Sequence, residues 1–149
     1  MTLTRILAIA AVFAVSALFA PAQAADGKTH RVAFHVDQND PAVMNLVLNN
    51  VTNLMEYYHD KGEQVQIEVV AYGPGLHMLR EDTSPVKARL ASFTKSIPNV
   101  SFKACQNTID GMSKRENKEI PIVANADRVP SGIITLIELS EKGWTIVRP

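Results

Sequence analysis

The chain has 149 residues, and its 15 Lys and Arg residues balance 15 Asp and Glu residues. A neutral chain lacks the basic face that phosphate groups require, which excludes a nucleic acid as the main partner. It contains one cysteine, so an internal disulfide is excluded as well.

The first 24 residues have the pattern of a secretory signal peptide. Arg5 gives a positive start, residues 6–19 are almost all apolar, and Ala22-Gln23-Ala24 matches the cleavage pattern. The apolar run is shorter than the roughly 20 residues that span a bilayer. The sequence therefore predicts cleavage after Ala24, a periplasmic or secreted protein with no membrane segment after cleavage, and a single domain over residues 25–149.

The mature part of the chain alternates strand patterns with helix patterns. A β-rich run at residues 30–36 precedes Asp40-Pro41, an acidic N-cap with proline at the first helical position. Apolar residues spaced by three and four predict a long helix from there to Gly62. A second strand at residues 65–72 ends at Gly73-Pro74-Gly75.

The middle of the chain continues this alternation. Residues 75–80 predict a short helix, and Ser84-Pro85 begins an amphipathic one. The apolar face of this second long helix is carried by Val86, Leu90, Phe93 and Ile97. A third strand over residues 100–104 leads to a helix of one or two turns over residues 108–114.

The last third of the chain completes an α/β pattern. The charged run 114–119 predicts a solvated loop, and residues 120–123 and 128–129 are both candidates for the fourth strand. A helix opens at Pro130-Ser131-Gly132, and residues 144–147 form a closing strand. The alternation predicts an α/β domain with a mostly parallel sheet of about five strands, covered by helices on both faces.

The single cysteine, Cys105, lies where the third strand ends and a helix begins. Ligands of open α/β sheets gather at the carboxyl ends of strands, and a helix N-terminus favours the nucleophilic thiolate. An unpaired thiol in an exported protein is shielded, joined to a partner or kept for its reactivity. The competing interpretation is a buried, inert cysteine that acts as a small hydrophobe.

Other residues are predicted to form a pocket at the same edge of the sheet. The glycines of Gly73-Pro74-Gly75 allow a tight turn and a close approach to a ligand. His77 is a candidate base for Cys105; the alternative is an exposed polar side chain. The amide of Asn107 both donates and accepts, so it can orient a ligand, cap a helix, or do both.

The glycine segment, the histidines and the single cysteine also exclude several familiar kinds of site. The glycine segment lacks the third glycine of a dinucleotide fingerprint and the lysine of a P-loop. The four histidines have no metal-ligand spacing, and a lone cysteine gives little support to a zinc or haem site. The sequence thus predicts neither a metal nor a cofactor.

Taken together, the mature chain resembles the DsrE/DsrF-like family of small sulfur-relay proteins. The segments that carry the resemblance are, in chain order, residues 32–36 with Asp40-Pro41, 50–54, 67–76, 100–108, 129–132, Gly143-Trp144 and Arg148-Pro149. The resemblance implies a three-layer α/β/α fold and homo-oligomers built as trimers or hexamers. It also implies that Cys105 accepts sulfane sulfur as a persulfide, with Asn107 and residues 73–75 around it.

The leading hypothesis is an exported sulfur carrier. Its single thiol, at Cys105, takes sulfane sulfur from a donor and passes it to an acceptor thiol of a protein or small molecule, without a cofactor. One alternative is a non-catalytic module that binds a small ligand or a partner in the same pocket, with the cysteine buried. Another is a redox sensor that forms an intermolecular disulfide through this cysteine.

Overall fold

The computed structural model describes residues 27–96 and 99–149. The predicted signal peptide, residues 1–24, and the predicted position of Ile97 lie outside this part of the chain. The elements are β1 (Thr29–Val36), α1 (Pro41–Asp60), β2 (Gln64–Ala71), a 3₁₀ helix (Gly73–Leu79), α2 (Lys87–Ser96), β3 (Val100–Cys105), α3 (Gln106–Glu116), β4 (Ala126–Val129), α4 (Gly132–Glu141) and β5 (Thr145–Val147). None of the described helices is long and apolar enough to cross a membrane.

The strands form one five-stranded sheet in the order β4-β3-β2-β1-β5. Every neighbouring pair is parallel. The chain steps in one direction from β1 to β4 and then crosses back to place β5 on the other side of β1. Right-handed crossovers therefore put α1, α2 and α3 on one face and α4 on the opposite face. The predicted α/β class is confirmed.

Alternate residues of each strand pack into different apolar layers. Phe34 and Val69 belong to the larger buried cluster, which also contains the buried residues of α1. Ala33, one position away from Phe34, packs with Leu136 and Leu139 of α4 in a smaller cluster. The period of two along a strand is thus what separates the two layers.

The structure corrects one predicted element and decides between two candidates for another. The glycine segment predicted as a loop is the first turn of the 3₁₀ helix Gly73–Leu79. The fourth strand is β4, Ala126–Val129, which contains the second of the two candidates. The first candidate, residues 120–123, contributes only a single antiparallel bridge between Ile122 and Arg80.

The helix after Cys105 is longer than the sequence predicted. It begins at Gln106 because Cys105 itself, in an extended conformation, is the N-cap residue. It continues to Glu116 and ends at Asn117, which has the left-handed conformation common at helix C-termini. The prediction of a solvated loop from residue 114 is therefore wrong for residues 114–116.

Candidate functional site

Cys105 is both the last residue of β3 and the N-cap of α3. Its register partner is Val129 at the end of β4, so it lies at the carboxyl edge of the sheet. The residue is 4% exposed. It is a buried residue of the core, but it belongs to neither of the two apolar clusters formed by the described residues. Polar groups nearby also act on this thiol.

The groups around the sulfur lower its pKa. Burial raises the pKa of the Cys105 thiol, but the Thr108 hydroxyl and the backbone N–H groups of Gly132, Thr108 and Asn107 outweigh burial, so the pKa lies below its ordinary value. The Asn107 N–H also donates to the carbonyl of Pro130 at 3.3 Å, so only part of its effect reaches the sulfur. The sulfur makes no capping hydrogen bond of regular geometry, and the N–H groups act on the thiolate mainly as dipoles.

Two helices begin beside this sulfur. Helix α3 is capped by Cys105, and α4 starts at Gly132, whose N–H acts on the thiolate. A helix N-terminus carries a partial positive charge, so both helices favour an anion here. A Cβ on Gly132 would lie 2.8 Å from the Cβ of Tyr72. Glycine at this position therefore lets the start of α4 pack closely against Tyr72, which follows β2.

A cleft of about 540 Å³ lies between the 3₁₀ helix and α3. Its lining residues are Asn39, Gly73, Pro74, His77, Asn107, Thr108, Gly111, Met112 and Arg115. The structure thus brings together four of the six predicted site residues. The other two lie behind the lining: Gly75 is buried against the backbone of Val36, and Cys105 is covered by Thr108.

Thr108 connects the cleft to the thiol. It lines the cleft, and its Oγ1 accepts the N–H of Gly73 at 2.9 Å. The same hydroxyl lowers the pKa of the Cys105 thiol. The thiol therefore lies directly behind one wall of the cleft.

Neither Arg115 nor Asn39 was predicted as a site residue, and Thr108 was predicted only as the start of a helix. Arg115 lay in the run assigned to a solvated loop. A signal was present, because Thr108, Met112 and Arg115 are separated by four and three residues and so share one face of a helix. For Asn39, the only signal in the sequence was its position in the loop after the first strand.

The predicted pairing of His77 with Cys105 stays a prediction. His77 lines the cleft, and its Nδ1 lies 2.9 Å from Oγ1 of Thr83. The groups that act on the sulfur do not include this imidazole. His77 therefore lines the same cleft as Thr108 and Asn107.

A second cleft, of about 450 Å³, lies between β1, β5 and α1. Its floor is formed by apolar residues such as Phe34, Leu54 and Val147. It contains no thiol. Its lining residues lie away from the carboxyl edge of the sheet, where α3 and α4 begin. Within residues 27–96 and 99–149, no group of three or more His, Cys, Asp or Glu side chains is placed to hold a metal ion. The chemistry of the molecule is therefore assigned to the first cleft.

Comparison with known proteins gives one informative similarity. A solved protein of unknown function, MTH1491 from Methanobacterium thermoautotrophicum, is 33% identical in sequence and superposes with a TM-score of 0.68. The alignment covers 80% of this chain and 99% of the archaeal one. No protein-family model matches the chain, and no curated protein matches it.

Proposed function

We propose that this chain, which belongs to the same family as MTH1491, a protein of unknown function, is an exported sulfur carrier. It holds sulfane sulfur on Cys105. The resemblance to sulfur-relay proteins of the DsrE/DsrF type supports this proposal, and Cys105 occupies the matching position. No cofactor takes part in the transfer.

One observation carries the proposal. The sole thiol lies outside the apolar clusters, at the start of two helices, with a hydroxyl and three backbone N–H groups that lower its pKa. A thiolate is the form of cysteine that attacks sulfur. The partial positive charge at the start of the two helices also favours the persulfide anion that replaces the thiolate, although its charge lies on the outer sulfur, one S–S bond farther out.

The transfer consists of two balanced displacements. In the first, the Cys105 thiolate attacks the sulfane sulfur of the donor, a new S–S bond forms, and the shortened donor leaves with the bonding electron pair. In the second, an acceptor thiolate attacks the outer sulfur of the persulfide, and the Cys105 thiolate is released. Since the residue is only 4% exposed, both steps need the Thr108 side chain to turn away from the cleft wall.

Mass spectrometry of the intact protein tests the proposal. After incubation with inorganic polysulfide, we expect an increase of about 32 Da, the mass of one sulfur atom, that is reversed by dithiothreitol. The Cys105→Ser variant is the matched control and gains no mass. An unmodified wild-type protein, or an equal gain on the variant, contradicts the proposed function.

The low exposure of Cys105 favours a second candidate, a binding module in which the cleft holds a ligand and the thiol only supports the fold. Labelling with a thiol reagent separates the two candidates. A carrier reacts in its native state, whereas a binding module reacts only after denaturation. The burial gives no support to an intermolecular disulfide, which requires an accessible sulfur.

Export is part of the proposal and rests on residues 1–24. When the full chain is expressed in a bacterial host with a periplasm, the periplasmic protein is expected to begin at Ala25. Replacing Ala22 and Ala24 by aspartate is expected to block cleavage, because signal peptidase requires small residues there. The intact mass of the fractionated protein gives the answer, and an uncleaved wild-type chain would contradict export.

A further inference from the structure

We propose that the cleft beside Cys105 binds an oxyanion, and that the sulfur donor is therefore a thiosulfonate anion such as thiosulfate. The transfer step rests on the proposed function, whereas the anion binding rests on the lining of the cleft alone. Three features of the lining carry the inference: an unpaired cation, amide donors without partners, and a lack of carboxylates.

The cation is Arg115, on the face of α3 that lines the cleft. No described residue forms an ion pair or a hydrogen bond with its guanidinium. Arg80, by contrast, is 1% exposed and is neutralised by Asp82 and Glu116. Among the described residues, no Asp or Glu lines the cleft. A guanidinium fork with its donors free suits the oxygens of an anion.

Neutral donors complete the lining. The side-chain amides of Asn39 and Asn107 have no hydrogen-bond partner among the described residues. His77 uses Nδ1 toward Thr83, which leaves Nε2 for a ligand. A sulfonate offers three oxygens to these N–H groups, whereas a bare polysulfide chain offers none. The lining therefore favours a donor whose leaving group is an oxyanion.

The chemistry balances with thiosulfate as the donor. Arg115 and the amides hold the oxygens of thiosulfate. The sulfane sulfur then points toward Thr108, behind which the Cys105 thiolate lies. The Cys105 thiolate attacks the sulfane sulfur and forms the S–S bond of the persulfide. The bond from the sulfane sulfur to the sulfonate sulfur breaks, and sulfite leaves with the electron pair. No oxidant or reductant is consumed.

The binding part is tested with anions that cannot transfer sulfur. Methanesulfonate is titrated into the ¹⁵N-labelled protein, with dimethyl sulfone as its neutral counterpart of similar shape and acetate as the carboxylate. We expect the amide resonances of Asn107 and Gly111 to shift with methanesulfonate and not with the sulfone. The Arg115→Gln variant should weaken binding at least about tenfold, as expected for loss of a charged hydrogen bond. Lys114→Gln removes the same charge one residue away, outside the cleft, and should bind like the wild type.

The transfer part is tested by the rate at which Cys105 gains one sulfur atom. With thiosulfate, wild type and Lys114→Gln should load at similar rates, and Arg115→Gln at least about tenfold more slowly. With polysulfide, which is an anion without oxygens for Arg115 to hold, Arg115→Gln should slow loading less than it does with thiosulfate.

The outcomes separate this inference from the proposed function. Loading from polysulfide without loading from thiosulfate, or equal thiosulfate rates for Arg115→Gln and Lys114→Gln, overturns the inference and leaves the sulfur carrier intact. A preference for acetate over methanesulfonate overturns the thiosulfonate assignment in favour of a carboxylate. If neither donor loads Cys105, the carrier function fails, and the methanesulfonate titration still decides whether the cleft binds oxyanions.

Discussion

The hydroxyl of Thr108 acts on both the wall of the cleft and the thiol. It accepts the N–H of Gly73 and lowers the pKa of Cys105. Burial opposes the thiolate, and this hydroxyl is the largest of the groups that favour it. A single oxygen atom therefore controls much of the reactivity proposed for Cys105.

Replacing Thr108 by valine, which keeps the shape but removes the hydroxyl, is expected to raise the pKa of Cys105. At pH 7 the thiolate fraction should fall about tenfold, about the effect of losing one hydrogen bond to a charged group. The ultraviolet absorbance of the thiolate during a pH titration measures this directly. Thr108→Ser retains the donor and should titrate like the wild type; a valine variant that also does so would show that the hydroxyl does not act on the sulfur.

At the scale of elements, one ion-pair cluster fastens the two walls of the cleft together. Arg80, which follows the 3₁₀ helix, donates to both oxygens of Asp82 and to both oxygens of Glu116, the last residue of α3. Lys118 adds contacts to the same two carboxylates, at 3.1 Å and 3.4 Å. The cluster fixes the end of the 3₁₀ helix relative to α3, and hence the width of the cleft.

This cluster makes the fold sensitive to acid. Hydrogen bonds from Arg80 lower the pKa of Glu116 from 4.5 to about 2 and hold the pKa of Asp82 below its ordinary 3.8. A carboxylate whose pKa is lower in the folded state binds fewer protons there than in the unfolded state. Above pH 4.5 such carboxylates therefore contribute their full stabilisation to the folded protein. The contribution of these carboxylates to the free energy of unfolding should therefore decrease progressively as the pH falls from 4.5 toward 2.

Urea unfolding over this pH range checks the acid effect. The Glu116→Gln variant should be less stable than the wild type at pH 7, and the difference should shrink as the pH falls. Glu119→Gln removes a nearby carboxylate that has no ion pair among the described residues and serves as the control. A constant difference between Glu116→Gln and wild type at all pH values would contradict the linkage.

Packing between elements also leads to a prediction at Gly75. A Cβ at this position would lie 2.1 Å from the carbonyl oxygen of Val36, and backbone atoms cannot move aside cheaply. Gly75→Ala should lower the free energy of unfolding by about 3 kcal/mol, as overpacking does. Gly111, within α3, has only the end of the Arg115 side chain near such an atom, at 3.4 Å. Gly111→Ala should therefore raise stability by about 1 kcal/mol, the usual gain in helix propensity. Denaturant titration of both variants decides, and equal effects would refute the prediction.

At the scale of the molecule, the two faces of the sheet are covered unequally. Of the described helices, α1, α2, α3 and the 3₁₀ helix pack on one face, and α4 alone covers the other. Three isoleucines of α4, Ile133, Ile134 and Ile137, are each about half exposed. Adjacent exposed apolar side chains of this kind mark interaction surfaces. We propose that this stripe is the contact surface of the homo-oligomer that the resemblance to sulfur-relay proteins implies.

Light scattering after size-exclusion chromatography is expected to give a mass above that of one chain. Replacing both Ile134 and Ile137 by glutamate should reduce that mass to the monomer value, because buried unpaired charges are costly. Leu46 on α1 is 45% exposed and lies on the opposite face, so Leu46→Glu is the control. A monomeric wild type, or an oligomer that both sets of variants leave unchanged, contradicts this role of the stripe.

The order and type of the elements could be predicted from local patterns. Asp40-Pro41 marked the start of α1, and the side chain of Asp40 does accept the N–H of Ala42 at 2.7 Å. Caps, helical spacing and β-rich runs act over a few residues, so the sequence displays them directly. The parallel alternation then placed Cys105 and the glycine segment at one edge of the sheet, as found.

The amino-acid sequence thus determined the α/β class, the succession of strands and helices, and the position of the sole thiol at a junction between a strand and a helix. Only the tertiary structure decided that Gly132 starts a second helix beside Cys105, that Thr108 stands between the thiol and the cleft, and that Arg115 faces that cleft. The start of α4 beside Cys105 and the packing of the 3₁₀ helix against α3 depend on contacts between residues that are distant along the chain. They arise when the sheet brings separate strand ends and helix starts together, and no local pattern specifies such a distance.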